Sequence, residues 1–146
     1  MALALPVLCA FTCGHVQQPG NYVYAVDQLQ QDACGLIANP AQAASGTLQV
    51  IGSDLRIDNF LAVGNQLQLV GAFLSQEESF TLDGTDANVS VLVGGQTCPV
   101  DMLSLHVDAV TDDASHFHGA ARVTTQSLAH PLCQCQTWFT YKASLQ

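Results

Sequence analysis

Hydrophobic residues along most of this chain return at every second position. Leu55 and Ile57 alternate with Arg56 and Asp58; Leu67, Leu69, Gly71 and Phe73 alternate with Gln66 and Gln68. Leu103, Leu105 and Val107 alternate with Ser104, His106 and Asp108, and Phe117, Gly119, Ala121 and Val123 form a like series. A period of two places alternate side chains on opposite faces of an extended chain, so each stretch predicts a half-buried β-strand. Tyr22 to Val26 predicts a first strand, Leu48 to Ile51 a second, and Trp138, Phe139 and Tyr141 mark the last. Phe80 and Leu82 run toward an expected hairpin turn at Asp83-Gly84, and Val89, Val91 and Val93 toward another at Gly94-Gly95. The exception is a short helix near the N-terminus, which Asp27 would cap and Gly35 would stop, with Cys34 at its C-terminal end. Pro40 to Ser45 reads as a loop of small residues.

Eight or nine strands at short spacing leave no room for crossover helices, which predicts an all-β antiparallel meander. An up-and-down β-barrel is preferred over a β-sandwich, because closure removes exposed strand edges. The length of 146 residues suits one domain, expected over residues 21–146.

Charge narrows the function classes. Charged residues make up 10% of the chain, against roughly a quarter in an average soluble protein. Arg56, Arg122 and Lys142 are the only Lys or Arg residues, and the net charge is −9. Three scattered cations cannot neutralise a phosphate backbone, so nucleic acid is excluded as a partner, and so is electrostatic attraction to an anionic membrane. A membrane enters only through a lipid anchor.

Residues 1–13 bear on that anchor. Ala2 to Thr12 is an apolar run of eleven residues, fit for a signal-peptide core and too short to span a bilayer. It ends at Cys13, and Ala10-Phe11-Thr12-Cys13 resembles a lipobox in which Cys13 would be the lipidated residue. Thr12 stands where a smaller residue is usual, and no Lys or Arg precedes the run. Residues 14–20 would then be a polar tether.

With Cys9 leaving in the signal and Cys13 lipidated, Cys34, Cys98, Cys133 and Cys135 remain, an even set suited to two disulfides in an oxidising compartment. Cys133 and Cys135 on one strand would hold their Cβ atoms about 7 Å apart, beyond the roughly 3.5–4.5 Å of a disulfide. They therefore pair separately with Cys34 and Cys98, in either of two ways. A zinc thiolate site is the rival, without a Cys-x-x-Cys knuckle to support it.

The layout resembles small exported bacterial lipoproteins. The residues that carry the resemblance are Cys13, the Gly20-Asn-Tyr-Val-Tyr24 opening, Asp32-Ala-Cys-Gly35 and the closing Cys133-Gln-Cys-Gln-Thr-Trp-Phe-Thr-Tyr141. It implies an address in the periplasm, outer membrane or cell surface, or secretion, and it implies no activity.

The polar face of the last long hairpin collects His106 and Asp108 from one strand and His116, His118 and Arg122 from the next. A three-residue loop at Thr111 to Asp113 would set His106 opposite His118 and Asp108 opposite His116. Two histidines at i and i+2 plus a cross-strand His or Asp could hold a transition metal such as zinc. The plain alternative is a solvated face. Asp83, Asp86 and Asn88 offer oxygens for calcium, but at a spacing unlike an EF-hand, and a hairpin turn is the simpler reading. Asn88-Val-Ser90 is a glycosylation sequon. Adjacent Glu77 and Glu78 would point to opposite faces and make no acid/base pair. Nucleophile-elbow, phosphate-loop, dinucleotide and His-Glu-x-x-His motifs are absent.

Three function classes follow. One is a non-catalytic envelope domain that binds a protein or surface polymer and needs no cofactor. The second is a lipocalin-like carrier of a small apolar ligand, with a lumen lined by Phe73, Phe80, Phe117 and Phe139. The third is a metalloprotein or enzyme built on the hairpin histidines.

Overall fold

The computed structural model describes residues 17–37, 39, 44–58, 60, 67–74 and 78–146. Eight antiparallel strands follow one another around a closed barrel. They are β1 (Gly20–Asp32), β2 (Ala44–Ile51), β3 (Asp54–Asp58), β4 (Gln68–Phe73), β5 (Ser79–Val93), β6 (Gln96–Asp113), β7 (His116–Gln126) and β8 (Cys135–Leu145). Each strand pairs with its neighbours in sequence, and β8 returns to β1 with Tyr22 opposite Leu145 and Asp32 opposite Thr137. The barrel is the expected all-β meander in its up-and-down form, and no strand of the ring keeps two open edges.

Alternation decides what lies inside. Leu103, Leu105, Val107, Phe117, Ala121 and Val123 are all buried, as their period requires. The centre is aromatic. Phe117 meets Tyr22 at 5.0 Å and Phe80 at 5.2 Å between ring centroids, while Phe60, from the connection after β3, meets Tyr24 at 4.7 Å and Tyr141 at 5.1 Å. The Tyr141 hydroxyl donates to the backbone carbonyl of Asp108 (3.1 Å), and the Tyr22 hydroxyl to that of Gln18 (2.7 Å). Among the described residues the buried Tyr24 hydroxyl has no hydrogen-bond partner.

Two local expectations are corrected. The segment from Asp27 is not helical: β1 runs on to Asp32, and register shifts at Val26/Gln28 and Leu29/Gln31 let it stay paired with β8. These bulges break the alternation, which is why the segment did not read as strand. Asp32, not Asp27, closes the following turn, accepting hydrogen bonds from the Leu36 and Ile37 amides (2.9 and 3.0 Å) and from the Thr137 hydroxyl (2.7 Å). The helical turn that does form among the described residues is a 3₁₀ turn at Pro131–Cys133.

Asp83-Gly84 is likewise no turn but the interior of β5, with Asp83 opposite His106 and Gly84 opposite Leu105. A Cβ on Gly84 would lie 2.7 Å from the Gln68 carbonyl oxygen and from the Leu69 side chain, so glycine here makes room for β4. Gly94-Gly95 is the real turn, with φ of 56° and 81° at its two residues, a region that glycine enters freely.

The connections divide between two rims. The β6–β7 turn lies at the rim where the chain enters and leaves: the Gln18 amide donates to the Ala114 carbonyl, and the Gln146 amide to that of Asn21. At the far rim β5 and β6 outrun their neighbours. Val89–Val93 pairs with Gln96–Val100, whereas β6 meets β7 only from Met102 onward. The disulfides Cys34–Cys135 and Cys98–Cys133, with Cα atoms 5.1 and 5.6 Å apart, tie this far rim together. Cys133 and Cys135 thus pair separately, and two such bonds fit an oxidising compartment.

Candidate functional site

Of the residues singled out in the sequence, Cys13 with its signal segment, residues 14–16 of the tether, residues 40–43 of the small-residue loop, Gln66 and Glu77 lie outside the described residues, while Ala44 and Ser45, expected in that loop, open β2. The hairpin face does exist: His106, Asp108, His116, His118 and Arg122 are all exposed. Its register differs from expectation. Pairing continues to Asp113 opposite His116, across a shift between Thr111 and Asp113, and only Ala114 and Ser115 remain in the turn. Asp113 stabilises this tighter turn by accepting from the Ser115 amide (2.8 Å) and hydroxyl (3.0 Å). As a result His106 stands opposite Arg122, Asp108 opposite Ala120 and His118 opposite Val110. His106 and His118 are therefore separated along the hairpin by four residues of strand, about 13 Å.

Each histidine meets its own carboxylate instead of a shared centre. His116 Nδ1 is 2.9 Å from Asp113 and His118 Nδ1 is 2.8 Å from Asp112. His106 lies between two carboxylates, with Nδ1 2.6 Å from Asp83 and Nε2 3.3 Å from Asp108. Among the described residues no group of three or more His, Cys, Asp or Glu side chains is arranged to hold a metal ion. Asp83 is occupied by His106, and Asp86 accepts from the Ala87 amide (2.9 Å), so the suggested calcium ligands do not converge. Asn88 is exposed, with φ of 55°, where the β5–β6 ladder skips a residue.

His106 has a measurable signature. The hydrogen bond to Asp83, foremost, and the nearby Asp108 raise its pKa above the ordinary 6.5. A raised histidine pKa stabilises the fold below the unfolded value and loses that contribution as pH rises through the folded one. An NMR titration of the His106 ring is expected to place its midpoint above 6.5, and Asp83→Asn is expected to lower it. An unshifted midpoint in the unaltered protein would show that the pair does not persist in solution. Asp113, held by Ser115 and His116, falls to about 2.

The second surface lies on the far rim, in the connection from β7 to β8. Its backbone is fixed at many points. The Ser127 hydroxyl donates to the Pro99 carbonyl (3.0 Å) and accepts from the His130 amide (3.2 Å). Leu128 donates its amide to Asp101 (2.6 Å), and the Gln134 side chain donates to the Ser127 carbonyl (2.7 Å). Thr125 donates to the Cys133 carbonyl (2.6 Å), and the disulfide to Cys98 ties the loop to β6. On this fixed backbone Leu128 is 89% and Leu132 94% exposed. Leu92, on the β5–β6 ribbon of the same rim, is also exposed.

From Val123 to Tyr141 the sequence has no charged residue. Below the loop, Trp138 is 40% exposed on the outer wall, with the Arg122 guanidinium 5.6 Å from its ring centre. Sequence reasoning missed Leu128 and Leu132. Leu128 between Ser127 and Ala129, and Leu132 between Pro131 and Cys133, read equally well as core, and only the tertiary fold shows which side each faces. Comparison with models of protein families, with curated proteins and with solved structures finds no match to this chain.

Proposed function

We propose that this chain is an exported, non-catalytic binding domain of the bacterial envelope, attached through lipid on Cys13 or released, and that it works through its outer surface. The observation that carries this reading is the contrast between lumen and rim. The lumen is occupied by the chain's own rings, Tyr22, Tyr24, Phe60, Phe80, Phe117 and Tyr141, whereas leucines stand uncovered on a braced loop. Leu128 and Leu132 stand four residues apart on one short connection, and the chain's own folding covers neither. The two disulfides support export, since such bonds persist outside reducing compartments.

A small-ligand carrier is the second reading, and the Tyr24 hydroxyl, without a partner among the described residues, favours it, because a buried hydroxyl left so costs roughly 1–3 kcal/mol that a ligand atom could relieve. Native mass spectrometry of the protein recovered from an exporting host separates the two. The expected result is a polypeptide lighter than its reduced form by four hydrogens, with or without lipid, and no other adduct. A small molecule or metal that leaves on denaturation would overturn the surface-binding reading.

A further inference from the structure

We infer that the β7–β8 loop is the docking point for another protein, one that offers an apolar pocket for Leu128 and Leu132 and carries basic side chains around it. This rests on the binding-domain reading and specifies its site and partner.

The loop is rigid before any partner arrives. A mobile loop must lose its freedom on binding, which subtracts from affinity. This one is already held by the bonds of Ser127, Leu128, His130 and Gln134 and by the Cys98–Cys133 disulfide. None of that bracing buries either leucine, as their exposures of 89% and 94% show. The fixed backbone displays the two side chains instead of covering them.

Charge selects the partner. The chain carries −9, and the carboxylate nearest the loop is Asp101, which holds the Leu128 amide. Each described cation is engaged elsewhere: Arg56 with Asp58, Lys142 with Asp27 and Arg122 over Trp138. A second copy would add another −9, and an anionic lipid surface would be repelled as well. A pocket with a basic rim meets the uncharged loop and is drawn in by the acidic body behind it.

The loop also stands far from the point where the chain enters. The chain enters at the β6–β7 rim, where the Gln18 amide bonds to the Ala114 carbonyl, and the loop follows the far end of β7. The eleven residues of β7 put about 36 Å of extended chain between them. A domain tethered by its N-terminus would hold the loop away from the point of attachment.

The test places a photo-crosslinking residue at Leu128, at Leu132 or, as a control on the opposite rim, at exposed Ser144, in the full-length protein in the organism that makes it. The expected result is one protein captured from both loop positions and not from Ser144. Purified, that protein should bind the unaltered chain in a salt-sensitive way and bind the Leu128→Ser, Leu132→Ser double variant at least about tenfold more weakly. Because both side chains are exposed, the double variant should keep its thermal midpoint, which separates lost docking from lost folding. Adducts with lipid, adducts with a second copy, or no loss of affinity in the double variant would overturn the inference. Capture from Ser144 alone would also overturn it while sparing the binding-domain reading; no capture from any position would count against both.

Discussion

Gly119→Ala is expected to destabilise the barrel by about 3 kcal/mol, because the added methyl has nowhere to go. A Cβ at this position would lie 1.8 Å from the Asp108 carbonyl oxygen and 3.0 Å from the Ala109 Cα. Both obstacles are backbone, so no side chain can rotate away, and β6 and β7 would have to part. The same carbonyl accepts the Tyr141 hydroxyl, so its displacement would also leave a buried phenol unsatisfied. Gly71 repeats the situation across the barrel, where a Cβ would lie 1.7 Å from the Thr81 carbonyl oxygen. Urea unfolding followed by circular dichroism measures the loss. As a control, Ala120→Gly, one residue along the same strand, should cost no more than about 1 kcal/mol. Equal midpoints for Gly119→Ala and the unaltered protein would mean that β6 and β7 leave room for a methyl at Gly119.

The second large effect concerns the disulfides. Replacing Cys34 and Cys135 together by serine is expected to cost about 4.7 kcal/mol, the loop-closure value for a bond spanning 101 residues. Replacing Cys98 and Cys133, which span 35 residues, should cost roughly 3.8 kcal/mol on the same relation. The ranking is the sharper test, since strain and residual structure change the absolute values more than the order. Each loss is a large part of the roughly 5–15 kcal/mol that holds a typical domain folded. Chemical unfolding of the two double variants, compared with the oxidised protein, gives both numbers. If removal of the Cys98–Cys133 bond proved costlier, that bond would have to do more than close a loop, for example by fixing the β7–β8 connection against β6.

The barrel was legible because its evidence is distributed. Every inward residue from Leu103 to Val107 and from Phe117 to Val123 repeats the same signal, so one misleading position does not hide a strand. The pairing of the cysteines was partly legible for a similar reason: two residues so near in sequence cannot easily reach each other, whichever partners they choose. What failed depended on single residues with two physical uses. Glycine after Asp83 serves equally as a turn former or as space for a crossing strand, and only the neighbouring Gln68 and Leu69 decide between them. The register of the histidine face turned on where one turn closes, and Asp113 settles that through contacts to Ser115 that a count of loop residues does not contain. The leucines of the far rim were invisible as a site because exposure is a property of the fold.

The seam between β1 and β8 has a mechanical consequence. The two strands are antiparallel and the chain's ends leave them at the same rim, so a force applied near Asn21 and Leu145 would open their hydrogen bonds one after another, as a zipper opens. Cys34–Cys135 sits past the other end of that seam. Under load the opening would run up the wall and halt at the bond, leaving everything between Cys34 and Cys135 shielded from the pull. Such a barrel yields at its point of attachment while the rim that carries the leucines keeps its shape.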